Sequence, residues 1–144
     1  MLNLPAKGGC QCGDCGYELY ENPYVAYSCH CKECKKLTAS AFLTCMHVSS
    51  EKLIITTGQP LSKKRDSDSG NTLVTWFCGS CGSTLFADNS SRPGIKTVHV
   101  GSLEHPEKIT IKKHIWTKRK LPWIKIPDAD ETYPEGKDWS EYYP

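Results

Sequence analysis

Apolar and polar positions along the chain fall mostly into short alternating runs, separated by Gly, Asn, Ser and Pro. These runs predict strands over residues 16–20, 24–28, 41–48, 53–57, 72–77, 84–87, 96–100 and 109–112. They are rich in Thr, Val, Ile and aromatic residues, which suit a pleated, half-buried surface. Residues 32–39 tolerate one or two turns of helix, and no long amphipathic helix is predicted. Residues 63–71, from Lys63 to Asn71, read as a polar hairpin loop. From Pro127 onward the periodicity fades. The aromatic residues there (Tyr133, Trp139, Tyr142 and Tyr143) imply that the tail drapes on the body. The expectation is a mainly β protein with one domain over residues 1–126 and an acidic aromatic tail over 127–144, packed on the domain or trailing from it.

A length of 144 residues suits a single domain. The hydrophobic fraction is 38% and the mean hydropathy is −0.49, so the core is modest and something besides apolar burial is expected to hold the fold. No run approaches the roughly 18 apolar residues of a membrane span. The opening Met1-Leu2-Asn3-Leu4-Pro5 is too short an apolar stretch for a leader, and Lys7-Gly8-Gly9 ends it. Net charge is only +2, unevenly spread: residues 127–144 carry six acids and one base, leaving 17 bases against 10 acids in residues 1–126. A basic body suits an anionic ligand.

Cysteine changes the picture most. Seven of nine cysteines fall in three tight clusters: Cys10 and Cys12; Cys29, Cys31 and Cys34; Cys78 and Cys81. Spacings of two and three residues bring several thiolates within reach of one ion, and Gly13, Gly79 and Gly82 stand where a metal-binding turn needs positive φ. An odd count and close clustering favour metal over a disulfide framework. Tight turns with flanking glycines favour zinc over an iron–sulfur cluster. The expected compartment is therefore reducing: cytoplasm, or also nucleus. Two pairs supply the four ligands of a closed site, and the triplet supplies the three of an open one. However, Cys10, Cys12 and Cys15 repeat the spacing of Cys29, Cys31 and Cys34, so spacing alone allows either triplet to be the open site, or a second closed site completed by Cys15, Cys45 or a histidine. Cys45, amid Phe42, Leu43, Met46 and Val48, reads as a small buried apolar residue.

Several motifs resemble one family. Gly9-Cys10-Gln11-Cys12-Gly13, Tyr17, Cys29-His30-Cys31-Lys32-Glu33-Cys34-Lys35-Lys36, Phe77-Cys78-Gly79-Ser80-Cys81-Gly82-Ser83, His114-Ile115-Trp116 and Leu121-Pro122-Trp123 together resemble the glutathione-dependent formaldehyde-activating enzymes, a family that also includes centromere protein V. The resemblance covers about residues 8–126. It implies a β-tent fold of short coiled antiparallel sheets clamped by two zinc ions per chain. It also implies that Cys10, Cys12, Cys78 and Cys81 hold a structural zinc, and Cys29, Cys31 and Cys34 a catalytic one. Cys15 stands where the family usually has another residue, and the acidic tail lies beyond the resemblance.

Three thiolates on Zn²⁺ leave a net charge of −1, a poor activator of water but a good partner for another soft sulfur. The activity implied is that of a carbon–sulfur lyase: glutathione or a similar small thiol, held as its thiolate, adds to formaldehyde and gives S-(hydroxymethyl)glutathione. The dianionic tripeptide suits the basic body. His30, between two ligands, is a candidate general base or ligand-supporting donor, although it can equally point away from the metal. His47, His99 and His105 have no supporting pattern, and His114 and Trp116 either line the pocket or pack within strands. Two rival readings are a zinc-stabilised, non-catalytic interaction module and a nucleic-acid binder. The second rests on Lys112, Lys113, Lys118, Arg119, Lys120 and Lys125 around Trp116 and Trp123. Near-neutral charge overall weighs against nucleic acid, since basic runs are usually solvated faces.

Overall fold

The alternating runs become strands in the computed structural model, which describes residues 1–67 and 69–144. In chain order the strands are β1 (Ala6–Gly9), β2 (Gly16–Leu19), β3 (Val25–Cys29), β4 (Leu43–Ser49), β5 (Leu53–Thr57), β6 (Leu61–Asp66), β7 (Thr72–Phe77), β8 (Thr84–Asn89), β9 (Ile95–His99), β10 (Lys113–Ile115) and β11 (Glu131–Thr132). The one α-helix among the described residues, α1, spans Lys32–Thr38. The protein is mainly β. A three-stranded antiparallel sheet runs β1-β2-β5, and an eight-stranded sheet runs β11-β10-β3-β4-β9-β8-β7-β6. The second sheet is antiparallel except where β10 lies parallel to β3 and to β11.

Most predicted strands recur within a residue or two of their expected ends, and two expectations need correction. Residues 109–112 form no strand. The Ile109 N–H instead closes a turn onto the Pro106 carbonyl at 3.0 Å, and the strand begins at Lys113. Much of the expected loop over residues 63–71 is strand β6, paired with β7 from Leu61↔Phe77 to Asp66↔Thr72. Its exposed Lys63, Lys64 and Arg65 are the charges of a sheet edge, where they discourage pairing with another chain. The turn itself shrinks to the Ser67–Asn71 closure, with Asp68 outside the described residues.

Strand register places both cysteine clusters at one end of the large sheet. Cys29 ends β3 opposite Leu43 at the start of β4. His99 ends β9 and hydrogen-bonds through Nδ1 to Thr84 Oγ1 at the start of β8 (3.0 Å), and Thr84 in turn pairs with Phe77, the residue before Cys78. Two buried clusters support this end. One gathers Leu2, Tyr17, Leu19, Met46, Val48, Leu85, Phe86 and Val98 around Cys15 and Cys78. The other gathers Val25, Tyr27, Cys45, Ile115 and Trp139 around Cys29, with Cys31, Cys34 and Trp116 against it. Each cysteine cluster thus rests on its own apolar bed. The tail shares the second bed through Trp139, Tyr133 and Tyr143, and β11 extends the sheet edge. No helix among the described residues is long and apolar enough to cross a membrane.

Candidate metal centres and active site

Cys10 and Cys12 sit on the turn that joins β1 to β2. The Cys10 N–H donates to the Cys15 carbonyl (3.0 Å), the Gly13 N–H to the Cys10 carbonyl (3.3 Å) and the Cys15 N–H to Cys10 Sγ (3.2 Å). Cys78 and Cys81 sit on the matching turn from β7 to β8, closed by Gly82 N–H to the Cys78 carbonyl (2.8 Å). Gly13 and Gly82 hold the positive φ that such turns require (86° and 79°). Gly79 does not, and a Cβ there would lie 2.8 Å from Cδ1 of the exposed Leu61 side chain, which would have to shift. The two turns are laced together by Gln11 N–H donating to Ser83 Oγ (3.1 Å).

The four Sγ atoms of Cys10, Cys12, Cys78 and Cys81 all lie within 4.8 Å of one another. Cys10–Cys12 and Cys12–Cys78 separations are 3.6 and 3.7 Å. A tetrahedron with metal–sulfur bonds of about 2.3 Å has sulfur–sulfur edges of about 3.8 Å, so the spacing fits a four-thiolate metal site. Cys15 packs into the neighbouring core and stays outside the four; burial pushes its thiol up to about 11.

Cys29, Cys31 and Cys34 form the second group, again with their Sγ atoms within 4.8 Å of one another. Cys29 is fixed by β3, with Leu43 on one side and Ile115 of β10 on the other. Cys31 is the N-cap of α1, and its Sγ accepts the Cys34 N–H at 3.3 Å. Hydrogen bonds from Cys29 and Cys34 hold the Cys31 thiol well below its ordinary value. The same sharing pushes Cys29 and Cys34 up. Three thiols within reach of one another are a natural cation ligand set. The 10–12 pair combines with the 78–81 pair, and the 29–31–34 triplet stands apart. Cys45 lies opposite Tyr27 in the sheet, buried, outside the triplet.

His30 points into protein rather than water. Its Nε2 lies 3.0 Å from Ser28 Oγ, its ring packs on Phe42 (centroids 5.0 Å apart), and Nδ1 is buried with no partner among the described residues. Burial pushes its pKa down to about 4, with His114, Lys120 and Lys35 adding to the effect. His114 joins this group through Ser28 and also meets Asp130 of the tail. Sequence reasoning left Ser28 and Asp130 out. Ser28 directly precedes a cysteine ligand candidate, but Asp130 is one of six similar tail acids and carried no distinguishing signal. His47 lies between the hydroxyls of Tyr27 (3.0 Å) and Tyr143 (2.7 Å), His99 bonds Thr84, and His105 pairs with Glu107 at the surface.

A groove of about 1010 Å³ runs along this end of the sheet, from Cys10 and Ser83 past Thr84 and His99 to Phe42 and Leu43. None of Cys29, Cys31 and Cys34 lines it. It approaches them through Phe42, which touches His30, and Leu43, the strand partner of Cys29. Its lining is mostly glycine, serine and threonine, and Lys7 is the one lysine or arginine, beside Glu18 and Glu104. The excess base of the body lies elsewhere, and much of it is already engaged. Lys113 pairs with Glu131 (2.6 Å) and Lys118 with Glu135 (3.3 Å), while Lys120 Nζ donates to the Leu121 and Ile124 carbonyls.

A comparison with curated proteins gives no match. Among solved structures, a protein from Rhodobacter sphaeroides superposes with a TM-score of 0.54 at 19% sequence identity, covering 88% of this chain and 98% of the other, a likeness that speaks for the fold. The family model for glutathione-dependent formaldehyde-activating enzymes matches residues 5–119, which hold every cysteine described above. The chain therefore belongs to the glutathione-dependent formaldehyde-activating enzyme family.

Proposed function

We propose that the protein is a zinc-dependent carbon–sulfur lyase that joins glutathione and formaldehyde to give S-(hydroxymethyl)glutathione, and catalyses the reverse cleavage. The observation that carries this reading is the second cysteine group: three thiol donors, not four, at the groove end of the sheet in a member of this family. Cys10, Cys12, Cys78 and Cys81 would hold a structural zinc and Cys29, Cys31 and Cys34 a catalytic one. Bound by three thiolates, Zn²⁺ supplies a position for a further soft donor and favours the thiolate form of a substrate thiol.

The reaction balances without an oxidant. A carbon–sulfur bond forms, the carbonyl π bond opens, its oxygen takes up one proton and the thiol proton departs. The groove, with its many small hydroxyl and backbone groups, would hold the tripeptide, and Phe42 and Leu43 would direct its sulfur toward the three cysteines. His30 Nδ1 would accept a hydrogen bond from the thiol and position it, a role suited to an imidazole that stays neutral and stands between Cys29 and Cys31 in sequence. The partner is accordingly a small molecule.

The test is direct. Zinc-loaded protein is mixed with glutathione and formaldehyde, and the rate of adduct formation and cleavage is read by NMR exchange between free and hydroxymethylated thiol. The exchange should accelerate in proportion to enzyme, and Cys31→Ser should abolish the increment. An exchange rate equal to the uncatalysed one, at full zinc loading, would overturn the assignment. Replacing formaldehyde by larger aldehydes then defines the electrophile.

A further inference from the structure

Four side chains run in a hydrogen-bonded line from the half-buried Asp130 of the tail to His30, which stands between Cys29 and Cys31 in sequence. Asp130 Oδ2 lies 2.9 Å from His114 Nε2, His114 Nδ1 lies 2.5 Å from Ser28 Oγ, and Ser28 Oγ lies 3.0 Å from His30 Nε2. Ser28 and His30 are each 1% exposed and His114 is 8% exposed. The line ends at His30 Nδ1, buried and without a partner among the described residues. An orphaned buried nitrogen is uncommon and calls for an explanation.

Donor and acceptor roles along the line follow from its first member. An ionised carboxylate only accepts, so His114 donates through Nε2–H. With His114 in its neutral form that proton is its one proton, so His114 Nδ1 accepts and the Ser28 hydroxyl donates to it. Ser28 Oγ is then the acceptor for His30 Nε2–H. His30 Nδ1 is left with a bare lone pair, which costs free energy until a donor meets it.

We propose that Asp130 and His114 are positioning residues which, through Ser28, hold His30 in its Nε2–H tautomer and so present Nδ1 as the acceptor for an S–H, O–H or N–H donor of the substrate. The inference rests on the proposed reaction at Cys29, Cys31 and Cys34 and adds to it a residue beyond the family match, which ends at residue 119. A carboxylate that fixes the tautomer of a working histidine is an established device, and its loss costs rate rather than binding. Here the device acts through one extra hydroxyl and reaches the site from the acidic tail. The tail segment is held for this purpose by β11 pairing and by the Glu131 N–H donating to the Lys112 carbonyl (2.9 Å).

The test reads the tautomer itself. Zinc-loaded full-length protein carrying ¹⁵N-histidine is measured by long-range proton–nitrogen correlation, with the His30 signals assigned by their loss in His30→Gln. The expected result is a single tautomer with the proton on Nε2. Asp130→Ala should convert it to a mixture, and Asp130→Glu should restore it. Ser28→Ala, which removes a single oxygen, should make the His30 tautomer indifferent to the residue at 130. In the turnover assay Asp130→Ala should lower kcat by about 10²-fold, the lower range for acid–base catalysis, with KM little changed. A wild-type proton on Nδ1, or a folded Asp130→Ala protein with an unchanged single tautomer, would overturn the inference. The expected tautomers without turnover in the wild type would uphold the positioning and overturn the reaction instead.

Discussion

Trp139 stacks on Tyr27, with ring centroids 5.0 Å apart and planes within 25°, so the tail closes over the strand that carries Cys29. Trp139 is 2% exposed and also meets Tyr133 edge-on at 5.8 Å. A buried aromatic of this size removes a large apolar area from water, and the stack adds to it. Trp139→Ala should therefore destabilise the fold by about 3–5 kcal/mol in a denaturant titration, the range for aromatic truncation in a core. An unchanged denaturation midpoint would mean that the tail is an appendage.

The two cysteine groups should answer differently to substitution. Cys10 and Cys78 join turns that are 68 residues apart in sequence, and a metal bound between them would be folding energy. Cys10→Ser or Cys78→Ser should leave protein that aggregates or unfolds. Cys31→Ser breaks a group confined to residues 29–34, so it should leave a folded chain holding one zinc instead of two. Elemental analysis together with circular dichroism distinguishes the cases. Equal loss of folding from both substitutions would remove the division into structural and catalytic sites.

The three thiol clusters were legible in the sequence, because cysteine spacing along a tight turn is a local property, whereas the meeting of Cys10 and Cys12 with Cys78 and Cys81 is not. Strand periodicity was legible for the same reason over residues 53–57 and 72–77, which match β5 and β7 residue for residue. What failed was non-local. Strand β6 looked like a loop because edge strands carry charge, and the pattern of Lys63, Lys64 and Arg65 does not reveal a neighbour on one side only. Strand β10 is three residues long and exists through its pairing with β3 and β11. Asp130 reaches His114 because β11 brings it there, a contact across 16 residues that no motif encodes.

Acid should weaken the fold through two histidines outside the cysteine groups. Burial pushes His47 down to about 3, with Arg92 adding to the effect, and burial alone pushes His99 down to about 4. Both are neutral in the folded protein, whereas in the unfolded chain each returns to about 6.5. Below that value the unfolded state takes up protons that the folded state refuses. Stability is therefore full above about pH 6.5 and declines toward pH 4, at up to about 1.4 kcal/mol per pH unit for each histidine. Denaturant titrations at pH 7, 6 and 5 should show this decline. His47→Gln keeps a polar group between Tyr27 and Tyr143 but cannot titrate, so it should reduce the slope. A slope identical to wild type would remove His47 from the acid response and leave it to His99 or to cysteine protonation with metal loss.

Cobalt in place of the proposed zinc would give the three-cysteine site an optical signal that depends on its ligands. Cobalt-loaded protein should show sulfur-to-metal charge transfer from both groups. Cys31→Ser should remove the share belonging to Cys29, Cys31 and Cys34. Glutathione should intensify that same share, since a fourth sulfur completes a set that the chain supplies with three. S-methylglutathione keeps both carboxylates and the peptide backbone but lacks an ionisable thiol, so it should leave the spectrum unchanged. The methylated analogue also tests whether the groove recognises the tripeptide. If the groove past Phe42 and Leu43 holds the backbone, it should compete with glutathione while remaining spectrally silent. A spectrum unaltered at millimolar glutathione would mean that the triplet does not receive the substrate thiol. Equal intensification by the methylated analogue would mean that the change comes from a rearranged groove and not from a sulfur ligand.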